Sequence, residues 1–176
     1  MDQLEQFVDR MALVFSPDNI IRLAESNDPI GTVLHAHLMI EEFLVAWSEK
    51  QLDQTDLITG LKIGFDARLE LAKRLNLDPQ AVAAIKKIDQ IRNRIGHRLG
   101  YTLEKSEVDS FADAVDAFDV SKAATNSCKD ESIAAEYSDG RERLPKTHYA
   151  NASTHLRFVI VFGALSRKLI LHLDLH

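Results

Sequence analysis

Asn151 to Leu173 is apolar around most of a helical circumference, and this stretch limits the possible folds more than any other. A helix with no polar face belongs in the middle of a bundle, covered by other helices. Its most apolar part, Phe158 to Leu173, is interrupted by Arg167 and Lys168 and is short for a bilayer span, so protein rather than lipid is the expected cover. Covering helices are legible upstream. Leu4, Phe7, Val8, Met11, Val14 and Phe15 recur at three-to-four spacing and mark a first helix ending before Ser16-Pro17. A short second helix is expected over Asn19 to Glu25. Asp28-Pro29 and Asp78-Pro79 are start signals, each pairing a capping acceptor with a proline whose missing N–H is harmless in the first turn. The first opens a helix reaching about Gln51, and the second opens a helix that runs into Arg92-Asn93-Arg94-Ile95-Gly96-His97.

Between these two, Gly64 to Leu75 reads as a shorter helix. Beyond them, Ser106 and Asp109 suggest a capping box, and Val108, Phe111, Val115 and Phe118 mark one helical face. Ser121 to Tyr149 is polar and poor in pattern, with Asp139-Gly140 as a turn, and is expected to be a long loop. No alternating strand pattern stands out. The fold class expected is therefore all-α, an antiparallel bundle of about five main helices. With 176 residues, one domain over 1–176 is expected, with a polar excursion at about 121–149.

The formal net charge of −6 gives no sign of a surface coated for nonspecific nucleic-acid binding, so any such site must be a local basic patch. Lys86, Lys87, Arg92, Arg94, His97 and Arg98 form one, although Lys86 and Lys87 also suit a plain solvated face. One cysteine, Cys128, excludes an internal disulfide and a cysteine-based zinc site, and a free thiol in polar surroundings is expected. Met1-Asp2-Gln3-Leu4-Glu5 lacks the basic start and apolar core of a signal peptide, which makes a cytoplasmic location the default.

On a helical wheel from Pro79, Ala81, Ile85, Ile88, Ile95 and Leu99 share a stripe with Arg92 near its centre. A guanidinium facing inward needs a partner. The helix from Pro29 offers one, because His37 and Glu41 sit at the centre of its stripe of Ile30, Val33, Leu34, Leu38, Leu44 and Val45. The expected contact is Arg92 with Glu41, or with Glu42 in its place. Such a pair either fixes the register of two helices or orients the arginine toward a substrate, and the two roles are compatible. On an unbroken helix His97 points away from Arg92. A left-handed Gly96 ending the helix brings it round.

Arg-Asn-x-x-x-His closing a helix in an all-helical chain resembles the signature of the HEPN superfamily. Phe65-Asp66-Ala67-Arg68-Leu69-Glu70-Leu71-Ala72, Ile88-Asp89-Gln90-Ile91-Arg92-Asn93 and the terminal Arg157-Phe158 helix are similar to bacterial members related to the mannitol-operon-repressor (MltR) group. The likeness covers roughly Pro29 to Leu99, and the last helix weakly. It implies a bundle of four or five helices, usually a homodimer with the two motifs facing across the interface. It further implies either a ribonuclease, acting as toxin, phage-defence or stress effector, or a non-catalytic regulator that binds another protein. In the first case Arg92 stabilises charge on the scissile phosphate, Asn93 positions the site and His97 moves protons at the ribose 2′-hydroxyl. RNA and an antitoxin-like protein are then the partners, with no membrane, metal or cofactor. A toxin subgroup carries a tyrosine two residues after the histidine, where this chain has Leu99, and the nearest tyrosine is Tyr101.

Two further groups stand apart from the motif. Arg141, Arg143, Lys146 and His148 read as solvated charge rather than an extended RNA path, and His172, Asp174 and His176 as a tail without metal geometry.

Overall fold

The computed structural model describes residues 3–54, 58, 62–97, 100–120 and 126–175. Among them are seven α-helices: α1 (Gln3–Val14), α2 (Pro17–Glu25), α3 (Pro29–Gln51), α4 (Phe65–Arg74), α5 (Pro79–His97), α6 (Lys105–Ala117) and α7 (Thr154–Leu175). The protein is mainly helical, and the proline start signals mark real boundaries. Asp28 accepts from the Ile30 N–H at the head of α3 and Asp78 from the Gln80 N–H at the head of α5, while α2 starts at Pro17, two residues before its expected start, with Ser16 accepting from the Asn19 N–H.

Helix α7 lies in the core, as its composition requires. Phe158 to Ser166 are all buried, Phe158 and Phe162 stack on each other, and their rings meet Phe111 at a tilt and Phe15 edge-on respectively. Helix α3 is the other central element, packed against α1, α4, α5 and α7, while α5 also contacts α6 and α6 contacts α7. One hydrophobic cluster draws on all seven helices, with Phe43, Trp47, Ile85 and Phe111 among its largest buried members. By length and composition α3 could cross a membrane, but over half of its most apolar window is buried inside this fold. Core packing accounts for the buried part of that apolarity.

Helix α3 is buried unevenly. From Phe43 to Glu49 every residue is buried, whereas nearer the start Ile30, Leu34 and Leu38 are 42%, 42% and 56% exposed. They follow one another at four-residue spacing, so they form one apolar stripe on the surface.

The region expected to be a loop carries an antiparallel hairpin, β1 (Ser132–Glu136) and β2 (Glu142–His148), turning at Asp139-Gly140. Arg143 anchors it. Its guanidinium donates to both carboxylate oxygens of Glu25, at 2.7 and 2.8 Å, and to Asp18 at 3.0 Å, so this residue is not the solvated charge expected of it. Cys128 is a free thiol but fully buried, and burial, together with the neighbouring Asp116 carboxylate, pushes it above the ordinary range. His172 is a core residue between Trp47, which it stacks on at 4.9 Å, and Phe118. The capping box at α6 sits two residues before the expected one, with Glu104 and Glu107 reciprocally bonded.

Candidate functional site

Helix α5 carries the motif and runs unbroken through Gly96 to His97, which corrects the expected stop at Gly96. Gly96 does not have a positive φ and its missing Cβ faces open space, so the helix simply continues. His97 therefore stays one turn beyond Asn93, and Asp89, Asn93 and His97 line up at four-residue spacing. It is exposed and does not swing round to Arg92.

Arg92 is also exposed, although its wheel position matches the buried stripe of Ala81, Ile85 and Ile88. The core gives out before it: Ile95, the next apolar residue of that stripe, is only partly buried. Neither Glu41 nor Glu42 reaches Arg92, so the expected ion pair does not form. Glu42 accepts from Arg10 at 2.7 Å. Glu41 accepts from Arg68 of α4 at 3.0 Å and lies 3.3 Å from Nδ1 of His37. The inward carboxylate thus found a different arginine, nearer along α4.

The link between the two helices runs through a residue that the wheel did not single out, Asp89. Its Oδ1 lies 3.3 Å from Nε2 of His37, and its Oδ2 accepts from Nδ2 of Asn93 at 2.9 Å. Asn93 Oδ1 in turn accepts from Nη1 of Arg92 at 2.8 Å. A polar chain therefore runs Arg68–Glu41–His37–Asp89–Asn93–Arg92, crossing α4, α3 and α5. His37 is its buried middle, 4% exposed, with its ring against Phe65 at 4.4 Å between centroids. The signal that could have found Asp89 was present, since an Asp and an Asn four residues apart on a helix are within reach of each other.

The remaining expected cations divide. Lys86 is exposed. Lys87 lines a cavity of about 200 Å³ between α5 and α6 with Gln90, Arg94 and Glu107. Arg94 is taken up by an ion pair with Glu107, which also accepts from the Tyr101 hydroxyl and the Glu104 N–H. Burial pushes the Glu107 carboxyl up, but these three donors outweigh it and hold it below the ordinary carboxylate range. Arg98 and Leu99 lie outside the described residues. No group of three metal-ligating side chains occurs among the described residues.

A larger cavity of about 330 Å³ opens between the starts of α3 and α7 and the stretch after α5, lined by Ile30, Ile95, Tyr101, Leu103, Thr154 and His155. Burial lowers His155 from its ordinary range, and its Nε2 lies 3.1 Å from the Thr32 hydroxyl.

What this arrangement can do chemically follows from the state of Arg92. Among the described residues it forms no ion pair, and its one side-chain partner is a neutral amide. An exposed guanidinium with five N–H groups, only one of them bonded to a side chain among the described residues, has donors left for an anion. His97, on the next turn, supplies an accessible imidazole on the same end of α5. No family model, curated protein or solved structure matches this chain.

Proposed function

We propose that the protein is a HEPN-type endoribonuclease that cleaves RNA without a metal ion and acts as a homodimer, in the role of a toxin or a phage-defence or stress effector. The observation that carries the reading is Arg92, an exposed guanidinium held by an amide and, among the described residues, left without a carboxylate. Arg68 and Arg94, by contrast, end on carboxylates. In the proposed reaction His97 takes the proton of a ribose 2′-hydroxyl as its oxygen attacks phosphorus. The P–O5′ bond breaks, leaving a 2′,3′-cyclic phosphate, and the departing 5′-oxygen takes a proton from water, while Arg92 stabilises the charge on the phosphoryl oxygens. Within one chain Arg92 and His97 project from different sides of α5, which supports a site completed by a second copy. The exposed stripe of Ile30, Leu34 and Leu38, beside His37 and Glu41 on α3, supplies an apolar surface for that copy.

The same stripe favours a second reading, a non-catalytic regulator related to the mannitol-operon-repressor group that binds another protein through it. One experiment separates the two: induced expression of wild type and His97→Ala in a bacterial host, matched for soluble yield. Growth arrest with cut RNA in wild type alone supports the nuclease. Arrest or cleavage that survives in His97→Ala removes it, and equal growth with no cleavage in either moves the weight to the regulator.

A further inference from the structure

We infer that His37 is a positioning residue which, through Asp89 and Asn93, sets the direction in which Arg92 presents its guanidinium. The inference rests on the nuclease reading for its catalytic consequence, but its structural half stands on the hydrogen-bond order alone.

An ionised carboxylate only accepts, so both groups that touch Asp89 must donate to it. Asn93 does so with Nδ2 at 2.9 Å, which turns its Oδ1 the opposite way, toward Nη1 of Arg92 at 2.8 Å. Without Asp89 only the bond from Arg92 would hold the amide against rotating by half a turn. It would then offer N–H groups to a guanidinium that has only N–H groups, and Arg92 would lose the one side-chain anchor it has among the described residues. Asp89 is itself fixed at Oδ1 by Nε2 of His37, 3.3 Å away.

His37 cannot move to follow. Its ring is buried against Phe65, and its other nitrogen faces Glu41 at 3.3 Å, which Arg68 holds from the far side. A buried imidazole packed in this way is a fixed post, and the exposed arginine hangs from it through two side chains. The bland alternative is that His37 only pins α3 to α5. That role predicts lost stability with no effect on the amide or the turnover of folded protein.

The test uses the full chain and two readouts. The side-chain amide signal of Asn93 is followed by ¹⁵N NMR, assigned by its loss in Asn93→Asp, and cleavage of a single-stranded RNA oligonucleotide is measured at steady state. His37→Leu removes the post and Asp89→Asn weakens the acceptor, so if one variant fails to fold the other still tests the chain. In both, the amide signal is expected to move to the position of a free asparagine, and kcat to fall about tenfold to a hundredfold with KM within about twofold. His37→Gln, which keeps an N–H that reaches Asp89, is expected to restore part of both. An unmoved amide signal in folded His37→Leu or Asp89→Asn overturns the inference, whatever the cleavage. A moved signal with unchanged kcat, where Arg92→Ala is inactive, overturns it too. If wild type and Arg92→Ala are equally inactive, the nuclease reading falls, and the amide signal by itself decides whether His37 positions Arg92.

Discussion

Arg92 and Arg94 sit two residues apart on one helix and meet opposite fates. On the α6 side of α5, Arg94 ends on Glu107, which also ties down Tyr101 and the start of α6. On the α3 side, Arg92 ends on the Asn93 amide, and the nearest carboxylate in its chain, Asp89, is one residue further back. A carboxylate partner both fixes and neutralises a guanidinium. An amide partner fixes it and leaves the charge available. The difference separates a joint in the fold from a group that can act on something else.

The largest expected effect tests that contrast directly. Arg92→Ala is expected to lower kcat/KM for RNA cleavage by about a hundredfold to a thousandfold, the scale of losing one donor to a developing oxyanion. Arg94→Ala should stay within about tenfold. Equal losses in the two variants would erase the distinction and return Arg94 to the RNA-binding role that its sequence suggested.

On the other side of the helix the expected loss is of stability. Glu107→Gln keeps the shape but weakens three bonds to a side chain that is 8% exposed, a change of about 1–3 kcal/mol at neutral pH. The sign with pH follows from the lowered carboxyl. Glu107 contributes its stability above the ordinary value of 4.5, and the contribution is lost as pH falls from there through the lower folded value. Urea unfolding at steps from neutral to acid pH should show this decline in wild type and a flatter one in Glu107→Gln. Parallel curves would mean that Glu107 does not hold Arg94 and Tyr101 as described.

Salt dependence of RNA binding gives a smaller and finer measure. If exposed Lys86 meets a phosphate, Lys86→Ala should make the log–log salt slope shallower by about 0.7, the value for one contact on a single strand. Arg94→Ala should leave the slope unchanged, since its charge is already matched by Glu107. A reduced slope for Arg94→Ala instead would place RNA on the α6 side.

Much of the scaffold was legible because its signals are local. Asp28-Pro29 and Asp78-Pro79 announce their helices through a cap and a fixed φ, and the all-round apolarity of α7 dictates its place in the core. The hairpin was not legible, since β2 reads Glu-Arg-Leu-Pro-Lys-Thr-His with no clean alternation. What anchors it is Arg143 reaching Asp18 and Glu25, more than a hundred residues earlier. At the site, periodicity placed His37, Glu41 and Arg92 on facing stripes but could not say how far along the stripes the helices meet. That register decides that Glu41 reaches Arg68 and that Asp89, not Glu41, stands between His37 and the motif.

The smallest expected effect bears on Gly96, where sequence and structure part most plainly. A left-handed glycine closing the helix would make Gly96→Ala destabilising, because alanine resists a positive φ. Here the helix passes through Gly96 and its Cβ position is open, so alanine is expected to stabilise the protein by about 0.4–1 kcal/mol in chemical unfolding. It should also stiffen the turn that carries His97 without touching Arg92. Cleavage should then hold steady or rise slightly if His97 works from its helical position. A stabilised but inactive Gly96→Ala would mean that His97 must leave the helix to act, and that the open end of α5 is a resting state rather than the working one.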